Sequence, residues 1–274
     1  MTKDIENLHA AARRYCMERG HFWRKQYFEL DKEGRHNGRS LSDEALNIYP
    51  RYNCLDAILV EIEKYTPDDF SSYLEGKDIL IYAGNTSESL FTGSQSGIAK
   101  KAMQQERENF IEYIENIDHE QLKTIEPLFY RRVLSESESK SLWAMLQEKW
   151  NIQPKSHWYP LIDLSIDGLI AFQEEAFDHN FGIQNIRHIL LKNGIKRVWT
   201  LTEFGPEYEL DISEFEPLYY HTGTENYSFS QQADWVIYAS HEGAITIGGK
   251  VLIDEIKTKW PDWKCFVWES PYKP

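Results

Sequence analysis

The sequence predicts an α+β fold. It reads as a helix-rich N-terminal half with a short buried strand, then a mixed C-terminal half with an antiparallel hairpin and a late helix. Three observations carry this. Apolar residues recur at three- and four-residue spacing through most of the first 150 positions. After about residue 195 they gather into short runs broken by Gly and Pro turns. The composition, 41% hydrophobic and 27% charged, is that of a globular chain and not of a disordered one.

Residues 4–19 read as a helix, with Ile5, Leu8, Ala12, Tyr15 and Cys16 on one side and Gly20 as its stop. Residues 31–40, DKEGRHNGRS, read as a polar loop. A second helix is predicted over 53–64, with Asn53 as N-cap and Leu55, Ile58, Leu59 and Ile62 facing inward. A short helical turn over 67–75 precedes Gly76. Asp78–Ala83 reads as the buried strand, and residues 84–97 as a Gly/Ser/Thr loop leading to a helix over 98–116. Leu128–Leu134 reads as a strand. Ser135 with Glu138 is a capping-box signature that opens a helix reaching Trp150.

Pro154 and the polar stretch Asn151–Ser156 suggest a division into a mainly helical domain, 1–150, and an α+β domain, 151–274; one compact unit is the alternative. Leu161–Ile170 reads as a strand and turn, and 182–192 as a helix closed by Asn193-Gly194. Lys196–Thr202 and Glu207–Ile212 read as strands joined at Gly205-Pro206. Ala233–Ala239, the turn Ser240–Gly243 and Ala244–Ile247 read as a hairpin. Leu252–Lys259 reads as a helix and Cys265–Trp268 as a terminal strand.

Thirty basic residues face forty-four acidic ones, for a net charge of −14, and both halves are acidic. A broad nucleic-acid-binding surface is therefore not expected, because phosphate binding needs a concentrated positive surface. A local basic group remains around Arg13, Arg14, Arg19, Arg24 and Lys25. Three cysteines, Cys16, Cys54 and Cys265, form no CxxC pair. With an N-terminus lacking a signal-peptide core and no apolar run of bilayer length, they lead to the expectation of a cytoplasmic protein without membrane association.

Candidate catalytic residues are few. Ser240-His241-Glu242-Gly243 places a histidine beside a carboxylate at a strand end, which suits acid–base work; the competing reading is a polar hairpin turn. Neighbouring side chains on an extended chain point opposite ways, so a direct His241–Glu242 pair is not favoured. Arg131-Arg132 in LFYRRVL suits either a ligand clamp or a structural ion pair. With His157 and Glu174 these residues compose an alternative reading: an enzyme or small-molecule-binding protein with a cleft between the halves. The histidines show neither HExxH nor HxH, and no metal or cofactor is expected. The loop after Asp78–Ala83 has neither GxxxxGK[ST] nor GxGxxG, and no Ser lies in GxSxG. Cys16 and Cys265 read as core.

The leading expectation is a protein-interaction module. Glu207, Tyr208, Glu209, Asp211, Glu214, Phe215, Tyr219 and Tyr220 compose an acidic and aromatic stretch, and no Lys or Arg occurs over 203–225. Tyrosines supply interface area and clustered acids steer a basic partner. The layout of strands, turn and helix over 233–268 broadly resembles small bacterial immunity proteins. That resemblance implies an immunity-like or antitoxin-like role toward a basic partner such as a nuclease toxin. The oligomeric state is not encoded in any motif.

Overall fold

The computed structural model describes residues 2–32, 41–93, 96–154, 158, 168–219 and 223–268. The chain divides into two compact units, Met1–Leu128 and Phe129–Pro274. The class is α+β, with helices in the first unit and a seven-stranded antiparallel sheet in the second.

Unit 1 contains α1 (Thr2–Lys32), α2 (Asp43–Ile62), α3 (Tyr73–Thr86), α4 (Gly97–Asn116) and the short α5 (His119–Lys123). Helix α1 runs through Gly20 and beyond the predicted stop. A mid-helix glycine costs only about 1 kcal/mol. The added turns gain partners on α2: Arg24 pairs with Asp56, and the Tyr27 ring meets Tyr49 and Tyr52. Helix α2 starts ten residues before the predicted start at Asn53. Ser42 is its N-cap, accepting from the Ala45 amide at 3.1 Å, and Pro50 is carried inside it. Leu8, Cys16, Leu55, Ile58, Leu80, Phe110 and Ile114 are among the core side chains.

The predicted strand at Asp78–Ala83 is helical, the middle of α3. A five-residue apolar run does not distinguish a strand from a buried helix segment. Here no neighbouring strand exists among the described residues of unit 1, while Ser72 caps the helix by accepting from the Glu75 amide. Gly84 lets α3 approach α4. A Cβ at Gly84 would lie 2.8 Å from the Phe110 ring.

Unit 2 contains β1 (Arg131–Val133), α6 (Glu136–Trp150), β2 (Leu169–Gln173), α7 (Glu174–Asn180), α8 (Ile183–Lys192), β3 (Arg197–Thr202), β4 (Tyr208–Asp211), β5 (Asn226–Phe229), β6 (Val236–Ser240), β7 (Ala244–Gly248) and α9 (Lys250–Lys259). The strand order is β1-β4-β3-β5-β6-β7-β2. The capping box is formed: Ser135 Oγ accepts from the Glu138 amide, and the Glu138 carboxylate accepts from the Ser135 amide at 2.8 Å. The hairpin at 236–248 is also formed.

The division falls at Leu128–Phe129 because α6 belongs to the sheet. Its Leu142, Trp143, Leu146 and Trp150 bury against Leu201, Tyr227, Phe229, Val236 and Tyr238. Four such side chains contribute roughly 6–12 kcal/mol of burial. Trp150 lies over Gly248, where a Cβ would meet its ring at 2.8 Å, and its Nε1 donates to the Ala233 carbonyl at 2.9 Å. Successive side chains on a strand point to opposite faces. The alternate positions Ile237, Ile245 and Ile247 therefore face the other way, and they are fully buried.

Helix α7 and strand β5 have no counterpart in the sequence reading. The predicted terminal strand at Cys265–Trp268 is instead a 3-10 turn, Trp263–Phe266, followed by a single bridge from Val267 to Phe172. Cys265 is exposed there, whereas Cys16 and Cys54 are buried. The predicted strand at 161–170 lies largely outside the described residues.

Candidate functional site

The sheet order separates the residues proposed for a cleft. Arg131 and Arg132 sit on the edge strand β1, and His241 follows β6, four places across the sheet. At about 4.8 Å per strand, that is roughly 19 Å. The Arg pair and His241 therefore do not converge into one site. His157 lies outside the described residues.

Each arginine already has a partner within unit 2. Arg132 makes a bidentate pair with Glu138 at 2.7 and 3.0 Å, and it reaches Glu209 at 3.1 Å. The guanidinium beside Glu138 holds that carboxyl down at about 2. Arg131 lies over the Tyr208 ring, 4.1 Å from its centroid. These contacts compose an ion-pair and cation–π network along β1, β4 and the start of α6.

That network also absorbs much of the acidic and aromatic stretch. Glu207 accepts from Trp143 Nε1 at 2.7 Å, and Glu209 accepts from the Tyr130 hydroxyl at 2.9 Å. Asp211 caps the 3-10 turn Ile212–Glu214 by accepting from the Ser213 amide. Tyr208 and Phe215 are buried, Tyr219 is half-buried, and Glu214 is exposed; Tyr220 lies outside the described residues.

The sheet register assembles a different cluster. Asn226 opposes Ala239 in the β5–β6 pairing, which puts Glu225 at the end of β6. Its carboxylate is 3% exposed. It accepts from the Tyr238 hydroxyl at 2.8 Å, from the His241 amide at 3.3 Å and from Ser240 Oγ at 3.4 Å; His241 Nδ1 lies 2.5 Å away. Burial alone would raise the Glu225 carboxyl. The hydrogen bonds from Tyr238 and His241 outweigh it and hold the group below its ordinary value. Burial raises the Tyr238 phenol, which keeps it a donor. The Tyr227 ring stacks on Tyr238 at 4.7 Å.

Glu174 reaches the same end of the sheet. The β2–β7 register sets Gln173 opposite Ala244, and the Glu174 amide donates to the Gly243 carbonyl. The Glu174 carboxylate is buried and accepts from the Tyr219 amide, and the Tyr219 ring lies 6.4 Å from that of His241. Thus Glu174 and His241 lie at the same end of the sheet with Tyr219 between them, and the imidazole pairs with Glu225. Sequence spacing could not show this, because β5 was not recognisable as a strand. A carboxylate on Nδ1 fixes the orientation of an imidazole. Ser240 Oγ, the adjacent hydroxyl, faces the carboxylate and accepts from the Glu242 amide at 3.2 Å. The cluster therefore braces the β6–β7 turn.

Unit 1 holds a cleft of about 500 Å³ between the C-terminal end of α2 and one face of α3. It is lined by Glu61, Tyr65, Glu75, Asp78, Ile79, Tyr82 and Ala83, without a Lys or Arg. The α3 contributors recur at three- and four-residue spacing, which places them on one helix face. The neighbouring cations are engaged: Lys64 pairs with Glu61 at 2.5 Å, and Lys77 donates to the Glu115 carbonyl at 2.8 Å. Glu75 accepts from the Ser71 hydroxyl and amide, which hold its carboxyl below the ordinary value. Reading 78–83 as a strand concealed this face, since a strand alternates and scatters the same residues over two sides.

Among the described residues, no group of three or more His, Cys, Asp or Glu is placed to hold a metal ion, and no helix is long and apolar enough to cross a membrane. Comparison with protein-family models, curated proteins and solved structures finds no match.

Proposed function

We propose that this chain is a protein-interaction module that takes a basic partner on an acidic and aromatic surface. The α2–α3 cleft carries this reading: three carboxylates and two tyrosine rings line a concavity without a basic residue. Carboxylates steer and orient a cationic partner, and tyrosine rings supply contact area and cation–π attraction at low entropic cost. The net charge of −14 adds long-range attraction for the same class of partner. Neutralising a basic protein, as an immunity protein or antitoxin does, is one concrete form of this activity.

The test compares the wild-type chain with Glu61→Lys/Glu75→Lys/Asp78→Lys and with Glu214→Lys, each used as bait in a native lysate. Bound proteins are identified and quantified by mass spectrometry. A stoichiometric basic partner lost with the triple variant and retained with Glu214→Lys supports the reading. A partner lost only with Glu214→Lys moves the surface to the 203–225 stretch. Recovery of no stoichiometric partner overturns the proposal.

A further inference from the structure

Resting on that reading, we infer that the occupant of the α2–α3 cleft is a basic amphipathic helix. It lies along α3 with Lys or Arg toward the carboxylates and an apolar stripe toward the exposed rings and aliphatic groups.

The outward face of α3 sets the shape of its partner. Leu74, Asp78 and Tyr82 follow one another at four-residue steps, with Leu74 71% exposed and Tyr82 63% exposed. At 1.5 Å per residue, this row is about 12 Å long, a little over two helical turns. Glu75, Ile79 and Ala83 form the adjoining row, also at four-residue steps, and line the cleft itself. Each of the two neighbouring rows thus sets one acid beside apolar or aromatic side chains. A partner helix offers the matching pattern, since its own residues at i, i+3 and i+4 share one face.

Backbone chemistry selects a helix over an extended segment. The cleft walls are helical, and interior backbone N–H and C=O groups of α2 and α3 are used within their own helices. An extended peptide would find no strand edge there, and each backbone group turned toward the wall would lose water without gaining a partner. A helix satisfies its own backbone and presents only side chains.

Charge complementarity selects its sign. Glu61, Glu75 and Asp78 line the cleft, and the adjacent Lys64 and Lys77 are held by Glu61 and by the Glu115 carbonyl. An acidic helix would meet like charges with no cation in the lining to receive it. An uncharged apolar helix would desolvate Asp78 and the rim of the Glu61 and Glu75 carboxylates without offering them a counter-charge.

Fluorescence anisotropy on the full chain tests this with two labelled peptides of identical composition, Lys and Leu with one Glu. One is locked helical by an i,i+4 lactam between the Glu and a Lys, which leaves the net charge unchanged, and the other keeps that pair open and is broken by a central proline pair offset by prolines at the ends of the first. The expected result is at least tenfold tighter binding of the locked peptide, with that advantage lost in Asp78→Lys and in Tyr82→Ala and kept in Glu112→Lys. Equal binding of both peptides, abolished by Asp78→Lys, overturns the helical occupant while leaving the basic-partner reading in place. Binding that is indifferent to Asp78→Lys and Tyr82→Ala overturns both. Circular dichroism of each variant, unchanged from wild type, ensures that lost binding reports the surface and not the fold.

Discussion

Replacing Glu106 with alanine removes the anion at the centre of unit 1. The Glu106 carboxylate is fully buried and takes Arg19 at 2.6 and 3.1 Å and Arg51 at 2.7 Å. The Arg51 side chain is itself buried, and both guanidiniums lie beside the Trp23 ring, at 5.5 and 4.8 Å. Arg51 keeps Asn47 and Gln105 as hydrogen-bond partners, so its geometry survives while its charge loses the counter-ion. Removing one member of a buried pair costs about 3–5 kcal/mol, because the remaining charge stays desolvated. At a urea slope of about 2 kcal/mol/M, the midpoint of the helical transition falls by about 2 M. Urea titration followed by far-ultraviolet circular dichroism measures it. A decisive companion is the triple variant Arg19→Met/Arg51→Met/Glu106→Met, which removes all three charges while keeping volume. It is expected to recover most of the loss. A single variant costing under about 1 kcal/mol, or a triple variant as unstable as the single one, would refute desolvation as the cause.

Burial, backbone sterics and thiol exposure each set a further measurable response. Burial, with Arg13 nearby, holds His9 down at about 4, below its ordinary 6.5. The unfolded chain therefore binds the extra proton first, and stability present above about pH 6.5 is lost as pH falls toward 4, by roughly 3 kcal/mol at most. Parallel pH–stability curves for wild type and His9→Gln over that window would contradict this. Gly249 has φ +110°, and an added Cβ would lie 2.7 Å from Trp235 Cβ and 2.8 Å from the Asp234 carbonyl; Gly243 has φ +73° and open space around it. Gly249→Ala should cost roughly 2–4 kcal/mol and Gly243→Ala about 1, read by thermal melting, with equal costs counting against the steric account. Cys265 is exposed, while burial raises Cys16 and pushes Cys54 up to about 11. Ellman's reagent at pH 8 should find one fast thiol in the native chain and three in guanidinium, and a second fast native thiol would show that α1 or α2 opens readily.

Local chemistry was legible along the chain wherever a few adjacent residues decide the outcome. Ser135 and Glu138 specify a capping box by their spacing alone, and the structure closes it. The Ala233–Ile247 stretch specifies a hairpin because its turn and both strands are contiguous, and the periodicity of 98–116 suffices for α4. Apolar periodicity carried the α+β class and the residue count the acidic character in the same way, since neither depends on which distant segments meet.

What the tertiary structure decided depends on long-range pairing. Asp78–Ala83 is apolar enough for either element, and only the all-helical surroundings of unit 1 make it α3 and expose Glu75, Asp78 and Tyr82 on one face. Glu209 reads as a surface acid until β1 and β4 pair and bring Arg132 to it. Glu225 is sixteen residues from His241, and it becomes the partner of that imidazole only when β5 aligns with β6. A carboxylate takes whichever donor the fold brings within about 3 Å, and a one-dimensional pattern carries no such distance. The sequence alone therefore determined that this protein is acidic, aromatic and α+β. The fold decided which of its acids are paired inside and which stay exposed at the surface.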